Sequence, residues 1–101
     1  MLAHGAGSHA ESPILVAMAE ALAGAGWTVL RCDLPFRQER PTGPPHRGAG
    51  ERDRAALRNA AAALRALAPG RPVLGGHSYG ARQASMLAAE APGLADALLL
   101  L

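Results

Sequence analysis

The sequence contains no lysine, one cysteine and three aromatic residues, Trp27, Phe36 and Tyr79. Each scarcity excludes something. A lone cysteine, Cys32, cannot build a disulfide scaffold. Three scattered aromatics give no stacking platform for single-stranded nucleic acid. No apolar run approaches the roughly 20 residues that cross a bilayer. Met1-Leu2-Ala3-His4-Gly5 has neither the basic n-region nor the apolar h-region of a secretory signal. A cytoplasmic location is therefore expected. Half of the 101 residues are hydrophobic and 18% are charged, which excludes disorder and fits one domain at most.

All ten basic residues are arginine and 24 residues are alanine, a bias typical of a GC-rich genome. The segment Arg31–Arg71 holds nine arginines against four acids, a local excess of five positive charges. With no aromatics to accompany them, these arginines are expected to interleave with Glu51 and Asp53 on a solvated helix face. Neither nucleic acid nor a membrane is expected as a partner. His4, His9, His46 and His77 lack ligand spacing with Cys32, so neither a metal nor another cofactor is expected.

Apolar periodicity and breakers divide the chain into alternating elements. Leu2–Ala3 reads as a strand end running into His4-Gly5-Ala6-Gly7-Ser8-His9. Ser12-Pro13 then opens a helix, with Ser12 as N-cap and Pro13 at the first helical position. Ile14, Leu15, Met18, Ala21 and Leu22 give it an apolar face, and Gly24–Gly26 end it. Trp27–Cys32 has strand composition. The proline-rich stretch 34–50 reads as a loop. Glu51–Leu67 reads as a helix whose stripe is Ala56, Leu57, Ala60, Ala61, Leu64 and Leu67. Pro72–Gly76 is a short strand, Tyr79–Glu90 a helix and Ala97–Leu101 a last strand. This β-α-β-loop-α-β-α-β order demands parallel pairing, so the fold class is α/β, a three-layer α/β/α arrangement. Because the chain opens and closes within strands, a single domain truncated at both ends (residues 1–101) is expected. Its apolar sheet edges, Trp27–Cys32 and Ala97–Leu101, are a possible route to self-association.

Gly76-His77-Ser78-Tyr79-Gly80 matches G-x-S-x-G. Alone the pattern is weak, but it lies between a strand and a helix, where a nucleophile elbow belongs. In such a turn the serine backbone is strained, and neighbouring backbone passes so close that Gly76 and Gly80 must be small. The loop His4-Gly5-Ala6-Gly7, after the first strand, has the small residues needed to bring main chain near an acyl carbonyl. The expected oxyanion donors are the backbone N–H groups of Ala6 and Tyr79, with His4, Gly5 and His77 supporting the loop and elbow. His77 is expected to point away from the exposed side of the elbow.

The runs Leu2–Gly7, Asp33-Leu34-Pro35-Phe36-Arg37 and Gly75–Gln83 together resemble bacterial α/β hydrolases of a dienelactone-hydrolase-like subfamily. That subfamily is similar to a testis-expressed α/β-hydrolase-like protein and to a non-catalytic subunit of a histone acetyltransferase complex. The resemblance spans essentially the whole chain, with Ala81 standing where a third glycine is expected. It implies strands three to six of an eight-stranded sheet, in spatial order 4-3-5-6, and a serine hydrolase acting on a small-molecule ester or related acyl substrate.

A serine hydrolase of this kind needs an acid and then a histidine after the nucleophile. Only Glu90 and Asp96 follow Ser78 as acids, and no histidine does. His46, in the proline-rich loop, is the one remaining candidate base. Asp33 is a candidate for binding substrate or for capping the turn that follows it. Arg37 and Arg82 are candidate carboxylate binders or surface and ion-paired residues. Two further readings stay open. One is a non-catalytic scaffold. The other is an NAD(P)-binding fragment, because Gly5–Ala10 also fits G-x-G-x-x-A and Asp33 follows at a suitable distance. Pro13 argues against the latter: a helix starting among the glycines would place it in the helix interior.

Overall fold

A computed structural model describes Met1–Leu101 throughout. The chain folds as β1 (Leu2–Ala3), α1 (Pro13–Gly24), β2 (Arg31–Cys32), α2 (Pro35–Glu39), α3 (Ala49–Leu67), β3 (Val73–Gly76), α4 (Tyr79–Glu90) and β4 (Ala97–Leu100). The four strands form one parallel sheet in the order β2-β1-β3-β4. This is the α/β class that the alternating elements predict, with the order of neighbours that the family resemblance implies.

That order dictates where the helices go. From β1 the chain crosses to β2 on one side, then returns past β1 to β3 and on to β4. Parallel crossovers are right-handed, so a reversal of direction moves the helix to the other face of the sheet. Thus α1 covers one face, and α3 and α4 the other. Strand alternation agrees: Met1 and Ala3 join the main core with Leu34, Phe36, Ala49, Leu57, Leu74, Ala84 and Leu87. Leu2, which points oppositely, is buried outside that cluster, as is Leu15 of α1. The reversal also creates a switch point between β1 and β3. In open α/β sheets the crevice beyond the strand ends at such a point is where ligands bind.

Four elements depart from the sequence reading. Trp27–Leu30 lie outside the ladder, because β1 offers β2 only the two partners Leu2 and Ala3. The 34–50 stretch contains the helix α2, started by Pro35 at its first position. The helix α3 begins at Ala49, and its stripe is shifted: Leu67 is 84% exposed, whereas Asp53 is fully buried. Asp53 therefore does not lie on a solvated face; it sits four residues before Leu57, on the side turned to the core. Finally, α1 buries only Leu15, and Ile14 is 41% exposed.

Candidate active site

The turn from β3 into α4 places Ser78 at φ 52°, ψ −114°, and it is the one non-glycine residue with positive φ. A β-carbon makes such a backbone cost about 1–3 kcal/mol, so surrounding structure must impose it. Three contacts do so. The Ser78 N–H donates to Leu101 C=O at 2.9 Å, His77 N–H to Ala3 C=O at 3.0 Å and Gly80 N–H to His77 C=O at 3.0 Å. The flanking glycines are sterically required. A β-carbon at Gly76 would sit 2.6 Å from the Gly80 carbonyl carbon and 2.7 Å from the Ala3 oxygen. One at Gly80 would collide with the Ala3 and His4 carbonyl groups. The side chain of Ser78 is consequently exposed at the switch point.

Ser78 shares a cleft with Gly5–Ser8, Ser12–Ile14 and His77. Ala6 thus lies beside the serine as expected, and neither Ala6 nor Tyr79 uses its N–H in a hydrogen bond within the protein. Both N–H groups are left without a partner in the protein. His77 lines this cleft, which corrects the expectation that it turns away: its Nδ1 lies 3.5 Å from where a Gly5 β-carbon would be. Ser12 is the N-cap of α1, but its buried hydroxyl makes no hydrogen bond.

His4 is fully buried. Leu34 N–H donates to its Nε2 at 3.0 Å, which leaves the ring proton on Nδ1, 2.8 Å from Gly5 C=O. Burial pushes its pKa below the ordinary value, outweighing the opposing bond to Gly5 and the charge of Asp33, so the ring is held neutral. With Nε2 occupied by the Leu34 N–H and Nδ1 turned to Gly5 C=O, His4 has no free nitrogen to act as a base; it fixes the loop.

Tyr79 turns its side chain away from the cleft. Its hydroxyl donates to Asp53 Oδ2 at 2.7 Å, and Phe36 N–H reaches Asp53 Oδ1 at 3.3 Å. Burial first, and then the bond to Asp53, push the phenol well above its ordinary pKa. Phe36 packs edge-on against Tyr79 and tilted against His4, each at 5.5 Å between ring centres. Asp53 and Phe36 were not among the sequence candidates. The detectable signal was Asp53's helical spacing to Leu57.

Other candidates lie elsewhere. The Asp33 carboxylate accepts the Ala10 N–H at 2.8 Å, so it braces the β1–α1 loop instead of capping the turn after it. Arg37 is buried and donates only to backbone carbonyls, those of Ser8, Ala6, Arg40 and Gly43, in place of a substrate carboxylate or a surface ion pair. Arg82 is exposed on α4, outside the lining of the cleft. His46 is exposed and does not line the cleft either. Glu90 pairs with Arg54 at 2.8 Å, and Asp96 with Arg71 at 3.5 Å. No side chain hydrogen-bonds the Ser78 hydroxyl. The helix α1 starts at Pro13, well past Gly7, so the Gly5–Gly7 turn lacks the helix N-terminus that a dinucleotide pyrophosphate needs.

Searches of curated proteins and of solved structures found no match. A family model described as an alpha/beta hydrolase domain matches residues 1–101, the whole length. The chain belongs to the α/β hydrolase domain family.

Proposed function

We propose that Ser78 is the nucleophile of an acyl-transfer site that hydrolyses an ester or related small-molecule acyl compound, in the dienelactone-hydrolase-like branch that the sequence resembles. The observation that carries this reading is the Ser78 backbone, held at φ 52° where a strand meets a helix. Nothing in an ordinary strand–helix turn would maintain that strain. In the proposed reaction Ser78 Oγ attacks the acyl carbon, its proton passes to the departing alcohol or thiol by way of solvent, and water then cleaves the acyl-serine to release the acid and restore the hydroxyl. The carbonyl oxygen takes up negative charge facing the Ala6 and Tyr79 N–H groups, beside the N-terminus of α4.

The same geometry supports a second reading for these 101 residues, that of an α/β-hydrolase-like scaffold with little turnover. No base hydrogen-bonds Ser78, and a serine hydroxyl is a poor nucleophile without one. Losing a triad partner leaves about 10³–10⁴-fold acceleration over water from the oxyanion donors and binding. Hydrolysis of p-nitrophenyl acetate or butyrate is therefore expected at similar, low rates in the chain and its Ser78→Ala variant. Fast turnover lost in the variant would mean that an internal base completes the site. Prolonged exposure to an alkyl fluorophosphonate, followed by peptide mass spectrometry, tests the nucleophile itself. An adduct on Ser78 is expected; a labelling pattern unchanged by Ser78→Ala would overturn the assignment.

A further inference from the structure

Arg37 is 6% exposed, forms no ion pair and still uses four of its five N–H donors. A buried guanidinium without a carboxylate is expensive, so its four acceptors carry a strong constraint. Nε donates to Ser8 C=O at 2.6 Å, and Nη2 to Ala6 C=O at 2.9 Å and Gly43 C=O at 2.8 Å. Nη1 donates to Arg40 C=O at 2.9 Å, and the guanidinium lies 4.9 Å from the Phe36 ring centre. Two of these carbonyls belong to the loop that flanks Ser78.

Peptide units are planar and trans, so fixing a carbonyl fixes the N–H on the opposite side of the same unit. The unit before Ala6 is held through Gly5 C=O, which accepts from His4 Nδ1 at 2.8 Å and Ser8 N–H at 3.2 Å. The unit after Ala6 is held through Ala6 C=O, by Arg37 alone. With both units fixed, Ala6 has no backbone freedom left. We propose that Arg37 is a positioning residue whose guanidinium, by gripping the carbonyls of Ala6 and Ser8, pins the far side of the loop, so that the Ala6 N–H, carried by the unit that His4 and the Ser8 N–H hold, stays turned toward charge developing in the Ser78 cleft. This rests on the acyl-transfer reading of Ser78. A lysine cannot replace it: three donors on one atom do not span carbonyls on both sides of a planar fork.

The experiment uses the full 101-residue chain and its Arg37→Lys, Arg37→Ala and Ser78→Ala variants. Backbone ¹⁵N order parameters are expected to be about 0.85 at Ala6 and Gly7 in the unsubstituted chain. They should fall below about 0.6 in Arg37→Lys, with Tyr79–Glu90 unchanged. Phosphonylation of Ser78 by the fluorophosphonate should slow at least about tenfold in both Arg37 variants, and low millimolar guanidinium should restore part of the rate to Arg37→Ala. An Ala6 order parameter already below about 0.6 in the unsubstituted chain would overturn the proposal without any variant. So would unchanged order and rate in Arg37→Lys, or a loss shared by α4 and not rescued by guanidinium. If Ser78 never labels while the loop still loosens in Arg37→Lys, the acyl-transfer reading fails and the grip on the loop stands.

Discussion

The two ends of the sheet are finished by different physics. At the C-terminal ends of the strands, the β1–α1 loop is held by hydrogen bonds from one short segment. Arg31 reaches Ala10, Asp33 takes the Ala10 N–H, Leu34 sets His4, and Arg37 grips Ala6 and Ser8. At the N-terminal ends lies an apolar groove of about 440 Å³, bordered by Met1, Leu22, Trp27, Leu64, Val73 and Leu98. The β4 edge beside it leaves Leu98 and Leu100 42% and 50% exposed. One end is specified by directional bonds that tolerate no slack. The other is apolar surface that any suitable apolar partner can cover. Substitutions at the first end should therefore be costly and local, and at the second cheap for folding but consequential for association.

The largest effect is expected at Gly80. A Gly80→Val side chain has no room against the Ala3 and His4 carbonyls, which are backbone and cannot yield. Overpacking of this kind costs about 3 kcal/mol or more, and chemical denaturation should show it as a lost or strongly shifted transition. Asp53→Ala comes next. It leaves the Tyr79 hydroxyl and the Phe36 N–H without their acceptor, a loss of about 2–3 kcal/mol. The Tyr79 phenol is held neutral in the fold, so its contribution is complete below pH 10 and declines as pH rises above that value. Asp53→Ala should flatten that alkaline decline. Equal denaturation midpoints for Asp53→Ala and the unsubstituted chain would mean that the buried carboxylate does not hold the elbow.

His4 gives the acid side of the same comparison. Its folded pKa lies below the ordinary 6.5, so the unfolded chain takes up the proton first. The stability due to neutral His4 is complete above pH 6.5 and is lost as pH falls below it. The Met1 amine, lowered from 8.0 by burial, acts in the same direction at higher pH. Denaturation at pH 7.5 and 5.5 should show weaker stability at the lower pH. His4→Gln should reduce that difference, and N-terminal acetylation should remove the part that sets in below pH 8.

How much of this was legible in the sequence follows from the range of the interactions. The strained backbone at Ser78 could be read because such a turn's demands are local: small residues two positions before and after, within a strand–helix boundary. Parallel pairing followed from alternating elements, and the sheet order from the family resemblance. Asp53 was misread because Glu51, Arg52 and Arg54 surround it in sequence, and only the phase of the helix turns it inward. The helix α2 was hidden by Pro35, Pro41, Pro44 and Pro45, whose density reads as loop although Pro35 starts a helix. Arg37 bonds backbone carbonyls about 30 residues away, and a carbonyl has no sequence signature.

At the apolar end, Leu98→Lys combined with Leu100→Lys should leave the fold nearly unchanged, because both residues are about half exposed and a lysine stem can cover the same apolar surface. If the β4 edge drives self-association, sedimentation of the unsubstituted chain should show species larger than a monomer and the double variant a monomer. A monomeric unsubstituted chain would remove that role from the edge.

The smallest expected effect isolates backbone entropy from packing. Gly24 is the last residue of α1, has no positive φ, and a β-carbon there would meet nothing within 4 Å. Alanine at this position keeps the helical conformation and restricts the unfolded chain, without adding a contact. Gly24→Ala should therefore raise stability by about 0.5–1 kcal/mol, seen as a later denaturation midpoint with unchanged slope. The same substitution at Gly80 meets the Ala3 and His4 backbone and should lower stability. Opposite signs for one added methyl group, in two helices of equal length, would show that the elbow's glycines are fixed by sterics and α1's by tolerance. A loss at both positions would instead mean that α1 is already strained at its end.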